Sequence, residues 1–434
     1  MKEFIKKIVP SNFLDFYHYF LAVFAVFFYR FPSRKVKVIG ITGTNGKTTT
    51  AHLVAEILQN SGHKTALISS IKFKIGDKEW KNILKMTMPG RLKLQKFLRQ
   101  AVNANCEYMV LEVTSEGIKQ FRHKFIDFDC VVFTNLTPEH IERHGSFEAY
   151  KKAKGKLFQT LSDLNHKTIS IVNLDDNVAG YFLGFSADEK WGYSAENSKY
   201  KIQNSNIKNV VAKKREVSPN KIKFFVNNVE FNLNLLGEFN IYNALCAICI
   251  ALSQGIDLEI CQKILGQTKG IFGRMEVVVK NPFTIIVDYA HTPDAFEKVY
   301  KTVSQVLSNN NFKIIGVFGS CGGGRDKWKR KEIAKIAEKY CDEIILTNED
   351  PYDEDPEEIL NEIFSGFSDA RNLKISKILD RKQAIKQAVK IAKPDDIVVI
   401  TGKGCEPWMR VANNKKIPWD DREIVKQEFN KLLK

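Results

Sequence analysis

Apolar residues in this chain fall into two kinds of stretch. Short β-branched runs alternate with longer segments in which hydrophobic positions recur every three or four residues. That alternation predicts strands and helices of a mostly parallel sheet. Strands are expected at Val36–Thr42, Lys64–Ser70, Tyr108–Val113, Cys130–Asn135 and Thr168–Asn173, and helices at Lys47–Ser61, Pro89–Asn103 and Phe147–Leu161. The segment IKFKIGDKEW after Ser70 reads as a hairpin. Lys221–Asn234 reads as an antiparallel pair turning at Asn227-Asn228, before a long helix at Asn240–Ser253. A second α/β rhythm begins near Gly273, with strands at Thr284–Asp288, Lys313–Phe318, Glu343–Leu346 and Asp396–Thr401. The glycines of GIFGR interrupt the pattern, so the expected division is 35–270 and 271–434. The fold class is α/β: a phosphate-loop domain with a mostly parallel sheet, then a Rossmann-like α/β domain.

Residues 1–34 do not fit this rhythm. Phe13 to Phe31 is apolar and aromatic, with Lys2, Lys6 and Lys7 before it and Arg30, Arg34 and Lys35 around its end. Its uninterrupted apolar core, Tyr19 to Tyr29, is shorter than the ~20 residues a membrane-spanning helix needs. Asp15 and His18 break any extension. The expectation is an interfacial or packed helix, with peripheral membrane contact through 13–31.

Composition narrows the classes. A chain of 434 residues with 44% hydrophobic content has material for two or three cored domains. Its net charge of +16 suits anionic ligands or an acidic membrane surface. No aromatic-interleaved basic block appears, so nucleic acid is not an expected partner. The eight cysteines form no framework. Cys246 and Cys249 lie in an apolar helical run and read as buried thiols of a reduced, cytoplasmic protein. No cleavable signal peptide precedes the first domain.

The candidate chemistry starts at VIGITGTNGKTTT, Val38 to Thr50. A buried strand feeding a glycine-rich turn and a helix start makes a phosphate cradle. Gly43, Thr44, Asn45, Gly46, Lys47, Thr48 and Thr49 form it, with Lys47 supplying mobile charge and the Thr48 hydroxyl suited to magnesium. The commonest phosphate-loop pattern would need glycine at Ile41, where none stands. Ligand chemistry is expected at the C-terminal strand ends. There the chain places Glu112, then His140 and His144 in NLTPEHIERHG, then the lysine-dense YKKAKGKLF. Glu112 and His140 each suit a magnesium site.

These motifs resemble, in order, the Mur ligase family of ATP-dependent amide-forming enzymes of peptidoglycan precursor synthesis. The resemblance runs from about Val38 to Glu423 through TGTNGKTTT, EVTSEGIKQFR, NLTPEHIERHG, YKKAKGKLF, VNLDD, GEFNIYNALCA, GRMEV, VDYAHTPDA, VFGSCGGGRDKWKR, DPYDEDP, GKGCE and WDDRE. It is greatest to the branch that adds the third amino acid to UDP-N-acetylmuramoyl-L-alanyl-D-glutamate. The resemblance implies that a substrate carboxylate takes the γ-phosphoryl group of ATP and that the incoming amine displaces phosphate from the acyl phosphate. It implies that Lys47 holds phosphates, that Thr48 and Glu112 hold one magnesium ion, and that His140 with a carbamylated Lys154 serves a second. ATP contacts are implied for Asn240, Asn243, Arg274, Asp288 and His291, with the C-terminal domain closing over the nucleotide. Acceptor contacts are implied for Thr87, Thr114, Gln120 and Arg122, and contacts to the amino acid for Asp350, Tyr352, Gly402 and Glu406.

The departures carry expectations too. Met88 interrupts the family's T-T-P. Glu349-Asp350-Pro351-Tyr352 replaces D-N-P-R, whose arginine reads the distal carboxylate of diaminopimelate. Acidic Asp353, Glu354 and Asp355 would favour a free ammonium, and Cys405 stands where histidine is usual. Diaminopimelate, lysine or another amine therefore stays open. Only some 35 residues precede the phosphate loop, where the family has a uridine-binding module. Either UDP is gripped differently or the acceptor is a related, lipid-linked acid. The alternatives are a ligase for a folate or polyamino acid and a non-catalytic nucleotide switch.

Overall fold

The computed structural model describes residues 11–84, 86–162, 164–196, 206–218, 221–306, 312–368 and 373–433. Lys2, Lys6 and Lys7 lie outside them. The architecture is α/β, as the apolar rhythm predicts, and its largest element is a nine-stranded sheet. Its strands are β1 (Lys37–Thr42), β2 (Thr65–Ile68), β3 (Lys72–Ile75), β4 (Lys78–Lys81), β5 (Tyr108–Glu112), β6 (Cys130–Phe133), β7 (Ile169–Asn173), β8 (Glu189–Ser194) and β9 (Ile207–Val211). Their order is β4-β3-β2-β5-β1-β6-β7-β8-β9, and only the β2-β3-β4 edge is antiparallel.

β1 holds the centre because it is apolar on both faces, as a doubly covered parallel strand must be. Ile39 and Ile41 join one core, beneath the helices Lys47–Asn60 and Phe239–Ser253. Val38 joins a second core on the opposite face with Leu111, Phe128 and Phe133. Gly40 is required between them, because a Cβ there would run into the Phe128 ring. Pairing sets Ile41 opposite both Glu112 of β5 and Val132 of β6. Three strands therefore deliver their C-terminal loops to one edge.

A small sheet of β10 (Lys213–Ser218), β11 (Lys221–Val226) and β12 (Val229–Leu233) packs Phe224 against Phe231 at 5.2 Å between ring centroids. Its β11–β12 turn is at Asn227-Asn228, both with positive φ, the conformation that favours asparagine in tight hairpins. The third sheet has the order β13-β14-β18-β15-β16-β17. These strands are β13 (Glu276–Val279), β14 (Thr284–Val287), β15 (Ile314–Phe318), β16 (Glu343–Leu346), β17 (Lys374–Lys377) and β18 (Ile397–Ile400). All pairs but β13–β14 are parallel. A last hairpin pairs β19 (Trp408–Arg410) with β20 (Lys416–Pro418).

The N-terminal apolar stretch is helical, α1 (Ser11–Phe28). Ala22, Ala25 and Val26 are buried, and α1 packs on α2 (Arg91–Asn103), where the Arg99 guanidinium donates to the carbonyls of Tyr29 and Arg30. Among the described residues no helix is long and apolar enough to cross a membrane. Cys246 and Cys249 are fully buried thiols as expected, and burial pushes Cys246 up to about 12.

Candidate active site

The loop after β1 is tied down by its neighbours. Asn135, just past β6, accepts from Asn45 N at 2.8 Å and donates to Asn45 O at 3.0 Å. Thr44 Oγ1 lies 3.2 Å from the Tyr150 hydroxyl. Gly43 (φ +151°) and Gly46 (φ +83°) take backbone angles that side chains rarely adopt. A Cβ at Gly43 would strike Thr134 Oγ1, and one at Gly46 would strike the Asn243 side chain. The buried Lys47 amine donates to the carbonyls of Gly43 (2.9 Å) and Thr44 (2.8 Å). Burial lowers its pKa, with Glu112 and Glu139 opposing.

Glu112 ends β5 completely buried. Its carboxylate accepts from Ser70 N at 3.0 Å, Ser70 Oγ at 3.1 Å and Thr48 Oγ1 at 3.1 Å. Desolvation raises its pKa against those bonds. Two hard oxygen donors thus meet beside the phosphate loop, a set that fits magnesium, which takes one or two protein ligands and completes its shell with phosphate and water. His140 has positive φ (56°), and burial drives its pKa down to about 4 against the pull of Glu139. Its imidazole is neutral near pH 7 and keeps a lone pair for a metal. Among the described residues no cluster of three or more His, Cys, Asp or Glu forms a metal site by itself.

Lys154 is not on the surface. It lies on the helix Phe147–Phe158 at 1% exposure, with its Nζ 2.7 Å from the Gly43 carbonyl and 4.5 Å from the Tyr150 ring centroid. Desolvation, and then the charge of Lys47, depress its pKa well below the ordinary lysine value.

One cavity of about 830 Å³ runs along this edge. It is lined by the phosphate loop, by Asn240 and Asn243, by Arg274, Asp288 and His291, by Thr87, Thr114, Gln120 and Arg122, and by Tyr352 and Glu406. Residues far apart in sequence are thereby brought together across both sheets. Arg274 Nη2 reaches Thr48 Oγ1 at 3.4 Å, Asn45 donates to Asp294 at 2.8 Å, and His291 Nε2 lies 3.3 Å from Glu139. Asp288 accepts from Met275 N and Ala290 N, which fixes the carboxylate at the end of β14. Thr87 pairs with Ser70 Oγ at 2.8 Å, and Arg122 is held by the Met88 carbonyl and Gln120 Oε1.

Asn240, in the first turn of its helix, donates to Leu236 O while accepting from Asn243 Nδ2 at 2.8 Å. Other expected residues stand apart from the cavity. Asp350 and Gly402 do not line the cavity. Asp350 is buried, taking Lys403 Nζ at 2.9 Å and Arg410 N at 2.8 Å, and Gly402 is pressed against Glu349. The acidic trio is spent on structure. Asp353 accepts from Asn413 N, Glu354 pairs with Arg330 at 2.8 Å, and Asp355 caps the helix Pro356–Phe364. None of the three lines the cavity, so they offer no ammonium site there.

The sequence reading missed Glu139, Arg325 and Arg410. Glu139 is buried between His140, His291 and Lys329. Burial alone would raise its pKa, but its contacts with His140, Lys329 and His291 hold it well below the usual carboxylate range. Arg325 and Arg410 line the cavity together with Tyr352, the Arg410 guanidinium 5.3 Å from that ring. Both have a buried Nε with no hydrogen-bond partner among the described residues. Only the GRDK spacing hinted at Arg325, and nothing in the pattern marked Arg410.

Comparison with known proteins gives two family matches, "Mur ligase middle domain" over residues 41–251 and "Mur ligase, glutamate ligase domain" over 273–404. The UDP-N-acetylmuramoyl-L-alanyl-D-glutamate–2,6-diaminopimelate ligase of Bacillus cereus is 38% identical over 417 residues, 95% of this chain and 82% of that protein. A UDP-N-acetylmuramyl-tripeptide synthetase of Roseiflexus is 36% identical over 430 residues, 95% of this chain and 82% of that protein. A solved diaminopimelate ligase of the same description superposes with TM-score 0.60 at 30% identity, covering 92% of this chain and 79% of that one. Folylpolyglutamate synthase of Mycobacterium tuberculosis with ADP superposes with TM-score 0.68 at 17% identity, over 88% of this chain and 91% of that one, a likeness of fold alone.

Proposed function

The chain belongs to the Mur ligase family, and from that premise we propose how its cleft carries out ATP-dependent amide formation. The protein is an acid–amino-acid ligase of peptidoglycan precursor synthesis. It adds the third amino acid, meso-diaminopimelate or L-lysine, to UDP-N-acetylmuramoyl-L-alanyl-D-glutamate. One observation carries the reading: a single cavity joins the phosphate loop to Arg122 at one end and to Tyr352 and Glu406 at the other. Nucleotide, acid and amine thus have places within reach of each other, which is the condition for passing an activated acyl group without losing it to water.

The geometry supports the following division of labour. Lys47 and the backbone amides of 43–49 bind the ATP phosphates, Asn240 and Asn243 frame the nucleotide side, and Arg274, Asp288 and His291 close from the third sheet. Thr114, Gln120, Arg122 and Thr87 grip the acceptor, whose carboxylate attacks the γ-phosphoryl group. The leaving ADP takes the broken P–O bond's electrons, and the amine later expels phosphate from the acyl carbon. Thr48 and Glu112 would hold one magnesium ion, and His140 with a carbamylated Lys154 a second. Magnesium supplies charge neutralisation on phosphoryl oxygens. Magnesium prefers hard oxygen donors over an amine nitrogen, so Lys154 would serve it as the carbamate. A depressed pKa and burial are the conditions under which a lysine amine is free to take up carbon dioxide.

The organisation we infer is an N-terminal helix at 1–34, an ATP-binding domain at 35–270 and an amino-acid-binding domain at 271–434. The protein works in the cytoplasm, at the inner face of the membrane, with contact through 13–31. The test is phosphate release with ATP, magnesium, UDP-muramoyl-dipeptide and a panel of amines, with product mass as the second readout. Amine-dependent release is expected, and a silent panel would refute the reading.

A further inference from the structure

The described residues expose 21 large apolar side chains, and eight of them crowd into α1: Phe13, Phe16, Tyr17, Tyr19, Phe20, Phe24, Phe27 and Phe28. The spacing 13, 16–17, 20, 24, 27–28 is helical, so most of them fall on one stripe, about 22 Å long at 1.5 Å per residue. The opposite stripe, Ala22, Ala25 and Val26, is the one buried against the body of the protein. Water-exposed aromatics at this density are unlike the scattered apolar residues of an ordinary surface and mark a contact face. The aromatic face is not needed to hold α1 in place, since α2 and the Arg99 bonds to Tyr29 and Arg30 do that.

We infer that this face of α1 seats in the headgroup region of an anionic lipid bilayer. Charge selects that occupant over a second copy of the chain. Arg30, Arg34, Lys35 and Lys37 are all exposed at the C-terminal end of α1, on a protein of net charge +16. A second copy would offer this collar another chain of net charge +16, whereas anionic headgroups complement it. Asp15 is the one acidic residue in the helix. The helix lies on the bilayer and does not cross it, consistent with its length and hydropathy.

Seating α1 also orients the cleft, and this part rests on the ligase reading. Tyr19 packs edge-on against Phe121 (5.9 Å) and Phe125 (5.4 Å), flanking the acceptor residue Arg122. Arg91 at the start of α2 donates to the carbonyl of Gln120. The acceptor end of the cavity is therefore the end carried toward the headgroups.

The test is co-sedimentation of the full chain with vesicles of phosphatidylcholine alone and with vesicles roughly one-third phosphatidylglycerol. Salt-sensitive binding to the anionic vesicles is expected, with at least about tenfold weaker binding for the triple variant Phe16→Glu, Phe20→Glu, Phe24→Glu. ATP binding by the same variant, measured without lipid, serves as the folding control. No binding to either vesicle, or equal binding by the folded variant, overturns the inference. So does a wild-type dimer that the variant abolishes without any lipid binding, which would make the face a self-interface. Phosphate release in lipid-free buffer scores the ligase reading separately.

Discussion

The Nζ of Lys154 donates a 2.7 Å hydrogen bond to the carbonyl of Gly43, so a buried lysine from a later helix braces the phosphate loop from behind. A charge at 1% exposure without a contacting carboxylate is unfavourable, and the environment responds by depressing its pKa. The neutral amine is the reactive form, and the loop is where a carbamate would be useful.

Replacing Lys154 by Ala is expected to abolish turnover, with partial rescue by bicarbonate or short carboxylates that refill the space. Activity of the wild type should fall in carbon-dioxide-depleted buffer and return on its readmission. Steady-state phosphate release with and without added acetate measures this. A fully active Lys154→Ala enzyme would eliminate the carbamate from the mechanism.

Gly43→Ala probes the loop by sterics alone. The residue has φ +151°, and a Cβ would overlap Thr134 Oγ1, whose hydroxyl is bonded to Asn45 O at 2.7 Å. The loop must move or Thr134 must leave its bond, so nucleotide affinity should drop by about tenfold or more while the melting temperature changes by only a few degrees. Equilibrium titration with a fluorescent ATP analogue reads the first quantity and calorimetry the second. Unaltered ATP affinity would show that the loop tolerates what its geometry forbids.

Asp420 links the two halves and gives the closed form a pH dependence. It accepts from Lys81 on β4 at 2.8 Å and from Arg422 at 2.8 Å. Burial would raise its pKa, but Arg422 and Lys81 outweigh burial and hold it below 3.8. A depressed carboxylate binds its proton less readily in the folded state than in the unfolded one. Its stabilisation is thus complete above about the ordinary aspartate value and is lost as pH falls through the folded value. Asp420→Asn should lower denaturant stability above the ordinary aspartate range, change it little in strong acid, and so flatten the acid limb that joins the two. An acid limb identical to wild type would assign that slope to other carboxylates.

Much of this was legible because β1 and its loop obey local rules. A β-branched strand, glycines where φ is positive, and a lysine at a helix start can be read without tertiary knowledge, as can the Asn227-Asn228 turn. Strand ends gave Glu112 and His140 for the same reason. What stayed hidden depends on partners distant in sequence. Lys154 looks like one lysine among four in YKKAKGK until the fold buries it, and Asp350 looks available until Lys403 and the amide of Arg410 claim it. The strands β8, β9 and β17, the last two at sheet edges, were missed because charged residues such as Glu189, Lys208 and Lys374 dilute their apolar pattern. Glu139 gained its meaning only when His291 and Lys329 arrived from the other half of the chain.

The amine end of the cavity yields the last prediction. Tyr352 stands at φ +56°, and its amide donates to the Arg410 carbonyl at 3.4 Å. Arg410 lies over both the Tyr352 and Trp408 rings, each 5.3 Å away, and its buried Nε has no acceptor among the described residues. Arg325 lines the same cavity as Tyr352 and Arg410, so guanidinium charge is available there although position 352 carries none. Glu406, which accepts from Lys403 Nζ at 2.6 Å and Tyr289 OH at 3.3 Å, provides the facing carboxylate. Two guanidiniums and one carboxylate complement an amino acid with two carboxylates and one non-reacting ammonium better than they complement lysine. Arg410→Ala should therefore raise the KM for diaminopimelate by roughly 10- to 100-fold, the usual cost of losing a charged hydrogen bond, with Arg410→Lys intermediate. The KM for lysine should move far less. Measuring both substrates at saturating ATP and acceptor separates the outcomes, and an enzyme that prefers lysine and ignores the loss of Arg410 would show that the guanidinium has no part in selection.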